Sequence, residues 1–217
     1  IMNRELILRM MSMAELRDPT ETGAHVQRVG AYSAEIYERW AMNKGHDEEE
    51  IKQTRDLNRL ASMLHDVGKV GIPDSILKKP GKLTNEEFDE IKKHTVYGAK
   101  LFNSITSDLD RMSLEIALNH HEKWDGCGYP GCVPELEQTN DQEQVKKGEN
   151  IPLTARITAL ADVYDALCSR RSYKDAFDEE QVYDIIRESS GTHFDPEIVE
   201  AFFQISDVLT AIRLKYQ

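Results

Sequence analysis

The stretch NHHEKWDGCGYPG, residues 119–131, places two adjacent histidines directly before a loop rich in glycine and proline. The residues before the pair, 114–118, are mostly apolar, as at the end of a buried helix. Neighbouring residues on a helix are rotated by about 100°, so two adjacent imidazoles on a regular helix diverge. They can meet one ion or ion pair where a helix ends, and Gly126, Gly128 and Pro130 supply such a break. Taken alone, the pair fits a chance pair in a surface loop equally well. The other histidines and acids of the chain are needed to distinguish a ligand site from such a loop.

Length, hydropathy and cysteine content limit the classes of protein to which this sequence can belong. The 217 residues suffice for one sizeable core, and no linker rich in Gly, Ser or Pro divides them, so we predict one domain. No apolar run approaches the roughly 20 residues that cross a bilayer, and no secretory signal pattern opens the chain. Three cysteines, an odd number, argue against a disulfide framework and favour a cytoplasmic location.

The formal net charge of −12 disfavours binding to duplex nucleic acid, so no DNA partner is expected. It leaves a small anionic substrate open, because bound metal ions can dominate the local charge of a site.

Apolar residues at helical spacing predict an all-α fold, and no segment alternates as a strand would. Residues 1–20 hold an amphipathic helix that would suit the end of a connector from an upstream domain, or a dimer contact. Residues 133–150 differ from the rest, being polar and rich in Glu, Gln, Asn and Lys, which predicts a surface excursion. The other predicted helical segments are 21–40, 85–94, 109–121, 153–167, 178–190 and 196–214, and residues 57–67 form a further apolar segment.

Five of the seven histidines, together with two aspartates, lie at predicted helix ends or within apolar segments. The set consists of His25, His65, Asp66, His94, His120, His121 and Asp162. A carboxylate in an apolar segment is costly to bury unless it is paired or binds a metal. Each histidine alone would fit an ordinary surface or core residue, but imidazole and carboxylate together suit Fe, Mn or Zn.

Seven ligands exceed what one ion needs, which indicates at least two ions. Two ions about 3.5–4 Å apart activate water and neutralise phosphoryl oxygens, so the set favours phosphodiester hydrolysis.

Two further groups of residues leave alternatives open. The basic residues Arg170, Arg171 and Lys174 suit either a phosphate clamp or cations at a helix C-terminus. Cys127 and Cys132 have no second cysteine pair, so a structural zinc site is not predicted there.

The spacing of His25, His65-Asp66 and Asp162 resembles the H…HD…D signature of the HD phosphohydrolase superfamily. Four segments resemble its HD-GYP subfamily, and the likeness runs from about residue 15 to residue 203. These segments are ETGAH at 21–25, HDVGK at 65–69, KHT at 93–95 and HHEKWDGCGYP at 120–130.

The resemblance implies a bacterial cyclic di-GMP phosphodiesterase whose catalytic domain, residues 21–217, is a helical bundle with its metal site between the helices. It implies two or three divalent ions, Fe or Mn, with Asp66 bridging two of them and Glu21 favouring a third. The implied metal ligands are Glu21, His25, His65, Asp66, His94, His120, His121 and Asp162.

On the substrate side, the resemblance assigns Lys69 to the phosphate and to protonation of the leaving oxygen. Arg171 and Lys174 match a pair that grips phosphate. Gly128, Tyr129 and Pro130 match a loop beside the substrate that is also proposed to meet diguanylate cyclase (GGDEF) partners. The mechanism we expect is attack by a metal-activated hydroxide, which yields linear pGpG or GMP.

Two other functions stay open from the sequence. One is a receptor that binds cyclic di-GMP without cutting it; the other is hydrolysis of cyclic GMP-AMP or another nucleotide. The chain also departs from the subfamily in two places: the 133–150 excursion and the interval between His25 and His65 are both longer than usual. Neither departure removes a predicted ligand.

Overall fold

The computed structural model describes residues 23–137, 145–169 and 178–216. The predicted N-terminal helix and Glu21 lie outside these ranges. So do the basic residues Arg171 and Lys174 and the middle of the 133–150 excursion.

The described ranges form α-helices and no strand, as predicted. Two 3-10 helices, Val67–Gly71 and Gly148–Asn150, interrupt the series. None of the helices described is both long enough and apolar enough to cross a membrane. The α-helices are α1 (Gly23–Lys44), α2 (Glu48–Ser62), α3 (Asp74–Leu77), α4 (Asn85–Lys92), α5 (His94–Leu101), α6 (Asp108–Asn119), α7 (Pro134–Glu137), α8 (Leu153–Cys168), α9 (Glu179–Glu188), α10 (Pro196–Gln204) and α11 (Ser206–Lys215).

Helix starts follow the capping signals in the sequence. The Thr84 hydroxyl accepts from the Glu87 N–H, and the Glu87 carboxylate accepts from the Thr84 N–H, which is a capping box at the start of α4. Pro152 precedes α8, as its restricted φ favours.

The single helix predicted over 196–214 is wrong: Ile205, with φ −127° and ψ 21°, divides it into α10 and α11. No glycine or proline marks this break in the sequence.

The apolar core consists of two clusters. The first joins α1, α8 and α10 through the rings of Tyr32, Tyr164 and Phe202, with centroids 5.1 Å apart at both contacts. The second fills the space among α2, α5 and α6, with Leu64 and Leu118 fully buried. Burial of each such side chain contributes about 1.5–3 kcal/mol, so the two clusters hold the helix ends in place.

Most of the predicted ligands lie at or near helix ends, while Asp162 lies within α8. His25 is in the first turn of α1, His94 opens α5, and His120 and His121 follow the last residue of α6. The helix therefore ends at the histidine pair, as the sequence predicted.

Gly68 allows the turn after His65 and Asp66 to pack against α5. A β-carbon on Gly68 would lie 1.9 Å from the carbonyl oxygen of His94 and 2.3 Å from the amide nitrogen of Gly98. Both neighbours are backbone atoms, so no side chain can rotate away to make room.

We expect Gly68→Ala to lower the free energy of unfolding by roughly 1–3 kcal/mol or more, because the turn has to move away from α5. Thermal and urea unfolding of the metal-free protein measure this change. Lys100→Ala, an exposed substitution on α5, is the control. An unchanged unfolding free energy for Gly68→Ala would show that the close packing is absent.

Candidate metal centre

The structure brings all seven sequence-predicted ligands in the described ranges together in two adjoining groups. Within each group, one donor atom from every residue lies within 4.8 Å of the others. Donors that bind one ion at about 2.0–2.2 Å are at most about 4.4 Å apart, so small side-chain adjustments suffice. The first group is Asp66, His94, His120 and His121, and the second is His25, His65 and Asp162.

Backbone carbonyls determine which ring nitrogen faces the centre. His65 Nδ1 lies 2.8 Å from the Ser62 oxygen, and His94 Nδ1 lies 2.7 Å from the Ile91 oxygen. His120 Nδ1 lies 3.0 Å from the Ile116 oxygen, in the last turn of α6. A carbonyl only accepts, so each Nδ1 carries the proton and donates it. In the neutral ring, Nε2 then presents its lone pair to the centre, which is the usual arrangement for a metal-binding histidine.

Asp66 joins the two groups. Its Oδ1 lies 3.1 Å from His94 Nε2 and 3.5 Å from His120 Nε2, while its Oδ2 lies 3.2 Å from His65 Nε2. Because one carboxylate oxygen faces each group, Asp66 has the geometry of a bridging ligand.

The donor set fits a divalent cation. His94 Nε2 and His120 Nε2 are 3.4 Å apart, two acceptors facing each other, and Asp66 Oδ1 is buried without a hydrogen-bond donor among the described residues. Buried acceptors at this spacing repel one another unless a proton or a metal ion lies between them. Imidazole nitrogens and carboxylate oxygens are ligands that Fe, Mn and Zn accept. Such atoms come together in both of the groups described above.

The electrostatics keep Asp66, His120 and His121 in their metal-binding forms. Burial lowers the pKa of His120, and burial together with the neighbouring His120 and His94 lowers the pKa of His121 well below its ordinary value. Burial alone would raise the pKa of Asp66, but Lys69 and His65 hold it well below its usual range. Neutral imidazole and ionised carboxylate are the forms that bind metal.

Asp165 is a residue that the sequence reasoning missed. The buried acid predicted on α8 was Asp162, but the Asp162 side chain is 22% exposed and that of Asp165 only 1%. Asp165 Oδ2 accepts from His25 Nδ1 at 2.8 Å, so His25 Nε2 faces Asp162 Oδ1 at 3.6 Å. The signal available in the sequence was a second acid three residues after Asp162 in an apolar helix.

Arg28 holds Asp165 in turn. Its Nε and Nη2 donate to the two carboxylate oxygens at 2.6 and 2.9 Å, and its Nη1 donates to the Tyr216 carbonyl at 2.9 Å. Although burial would raise the pKa of Asp165, Arg28 and His25 lower it, so the carboxylate stays ionised and orients the His25 ring.

Lys69 and Tyr129 lie next to the ligand cluster. Lys69 Nζ lies 2.9 Å from Asp66 Oδ2, and its side chain is 19% exposed. The Tyr129 ring stacks on His121 with centroids 4.7 Å apart, in a loop with a cis Tyr129-Pro130 bond. Two of the predicted substrate-side positions are therefore adjacent to the ligand cluster.

The comparisons with known proteins agree with this site. An HD domain family model matches residues 10–198. A Vibrio cholerae protein named 3'3'-cGAMP-specific phosphodiesterase 2 is 43% identical over 97% of this chain and 36% of its own length. A cyclic di-GMP phosphodiesterase of Vibrio cholerae is 43% identical over 97% of this chain and 41% of its own length, and one of Thermotoga maritima is 40% identical over 95% and 50%.

This chain thus spans half or less of the length of these curated relatives. Among solved structures, a cyclic GMP-AMP-specific phosphodiesterase of Vibrio cholerae matches with a TM-score of 0.61 at 18% identity, over 96% of this chain and 52% of that one. That match concerns the fold alone. With the family model and these relatives together, the chain belongs to the HD-domain family, in its HD-GYP branch.

Proposed function

We propose that this chain is a metal-dependent phosphodiesterase that hydrolyses cyclic di-GMP to linear pGpG or GMP. The observation that carries the proposal is the double cluster centred on Asp66, since two adjoining sets of N/O donors suit a two-ion site. Two curated relatives at 40% identity or more carry the name cyclic di-GMP phosphodiesterase.

The bound ions, for which Fe and Mn are our candidates, would lower the pKa of a water molecule and offset charge on the phosphoryl oxygens. The chain's own residues hold and complement this chemistry. Asp66, Asp162 and the five histidines supply the donors, and Asp165 keeps His25 in the required tautomer. Lys69 places a cation beside Asp66, where it can contact a phosphate and donate a proton to the departing 3′-oxygen.

Cyclic GMP-AMP is the second candidate substrate, because a relative at 43% identity is named as specific for it. Bound metal ions would contact the phosphate rather than the bases, so the cluster suits both dinucleotides. A receptor without turnover is the weaker alternative, since all seven predicted ligands in the described ranges converge and Lys69 lies beside them.

Several assignments stay predictions. Glu21 as a ligand to a third ion and Arg171 with Lys174 as a phosphate clamp fall outside the described residues. The contact of Gly128, Tyr129 and Pro130 with substrate, the GGDEF partner at that loop, the homodimer and the cytoplasmic location also stay predictions.

A product assay tests the proposed function. The protein is loaded anaerobically with Fe(II) or Mn(II) and offered cyclic di-GMP and cyclic GMP-AMP in parallel. We expect linear products from cyclic di-GMP and none from Asp66→Ala, while Asp56→Ala, a surface aspartate whose side chain is 66% exposed, keeps activity. Full metal loading with both dinucleotides returned intact would contradict the hydrolase and favour the receptor.

Lys69→Ala separates proton donation from metal binding. We expect kcat to fall by about 10²-fold or more, because a positioned general acid typically contributes that factor. Metal content, measured by elemental analysis, should not fall, because the substitution removes a cation next to Asp66. If Lys69→Ala keeps its metal and its full activity, the proposed role of Lys69 is wrong.

Asp165→Asn tests the support of His25. We expect metal affinity, measured by competition with a chelator, to fall by about 10- to 100-fold, as for other carboxylates that hold a metal-binding histidine. The matched control is Asp195→Asn, because Asp195 is equally buried and also paired with an arginine, Arg156, but belongs to neither ligand group. Unchanged affinity in Asp165→Asn, or an equal loss in Asp195→Asn, would contradict the specific role.

A further inference from the structure

An aromatic and cationic rim borders the metal centre on the α4 side. It consists of Phe88 and Lys92, four residues apart on one face of α4, and Tyr129 of the glycine-rich loop. The rings of Phe88 and Tyr129 meet edge to face with centroids 6.4 Å apart. Lys92 Nζ lies 4.8 Å from the Phe88 centroid and 5.8 Å from the Tyr129 centroid. We call these three residues the α4 rim.

The α4 rim is continuous with the ligand cluster. Tyr129 stacks on His121 on one side and contacts Phe88 on the other, so the rings lead outward from the centre in the order His121, Tyr129, Phe88. Burial and the nearby carboxylates of Asp66 and Asp162 raise the pKa of the Tyr129 hydroxyl, which agrees with its place beside the ligand cluster.

Phe88 is exposed although its helix is held rigidly. Its exposed fraction is 46%, and no residue of α4 is fully buried. The capping box fixes the start of α4, and Lys79 Nζ binds both Glu87 carboxylate oxygens at 2.8 and 2.6 Å. A single exposed phenylalanine is ordinary, but this one contacts Tyr129 next to the ligand cluster and has a cation beside its ring.

We propose that the α4 rim binds a purine base of the bound dinucleotide. This inference rests on the proposed function, since it requires the dinucleotide's phosphate at the metal centre. A base is attached to the ribose that carries the phosphate, so it lies within a sugar's length of that phosphate. Aromatic side chains bind bases by stacking on their π-faces, and a lysine complements the O6 and N7 acceptors of guanine. Lys92 is available for this on the surface, where it also pairs with Asp89 at 2.8 Å.

The Phe88→Trp substitution reports stacking without requiring turnover. The variant is titrated with a hydrolysis-resistant phosphorothioate analogue of cyclic di-GMP, and its fluorescence is compared with that of the wild type, which contains Trp40 and Trp124. We expect a saturable change in emission beyond the wild-type signal. The control is Leu101→Trp. Leu101 is the last residue of α5, at the opposite end of that helix from His94, and is 54% exposed, so this variant should show no such change.

Steady-state kinetics supply the second readout. Phe88→Ala should raise KM about fivefold or more with kcat and metal content near the wild-type values, since stacking on an aromatic side chain contributes about 1–3 kcal/mol per base. Phe88→Tyr should restore a low KM. A purely structural role for Phe88 would instead lower stability and metal content together.

The outcomes separate this inference from the proposed function. A wild-type protein that binds the analogue but does not cleave cyclic di-GMP counts against the proposed hydrolase. In that case the emission of the Phe88→Trp variant still tests whether the α4 rim binds a base. If the emission of Phe88→Trp does not change when the analogue binds, or if KM is unchanged in Phe88→Ala, the α4 rim does not bind a base. Either result leaves the proposed function unaffected. A wild type that binds no analogue overturns both.

Discussion

The mutual repulsion of acceptor atoms around Asp66 is the constraint on which the rest of the structure depends. Because backbone carbonyls hold the Nδ1 protons of His94 and His120, both Nε2 lone pairs face Asp66 Oδ1, with the two nitrogens 3.4 Å apart. A cation bound among them would convert this repulsion into coordination. The fold therefore has to hold the ligands rigidly enough that they cannot relax apart.

Helix ends provide that rigidity. Side chains at the end of α6, at the start of α5 and in the turn after α2 approach each other because their helices share an apolar core and because Gly68 permits close backbone contact. On the other side, the chain Tyr216–Arg28–Asp165–His25 connects the end of α11 to the second ligand group through hydrogen bonds of 2.6–2.9 Å. The returning part of the polar excursion contributes too: Lys146 is buried and donates to Asn119 Oδ1 at 2.5 Å, directly before His120.

Much of this site could be predicted from residues that local sequence makes conspicuous. The acid beside His65 in an apolar segment and the histidine pair before a glycine-rich loop are visible without a partner, because burial of charge and the end of a helix are local properties. Asp165 was missed because its partners lie more than a hundred residues away on α1, and only the packing of α8 against α1 makes it the buried acid rather than Asp162. Ile205, where the last helix breaks, is buried in the first core cluster, and Phe88 contacts Tyr129 across the chain; no local signal in the sequence marks either feature.

The most direct test of this account is anomalous diffraction from crystals of the protein loaded with Mn(II) or Fe(II), collected on both sides of the metal's absorption edge. The account predicts two adjacent anomalous peaks with Asp66 between them, one contacting His94, His120 and His121 and the other contacting His25, His65 and Asp162. Peaks located elsewhere, or a fully loaded protein whose Asp66 contacts no peak, would contradict it.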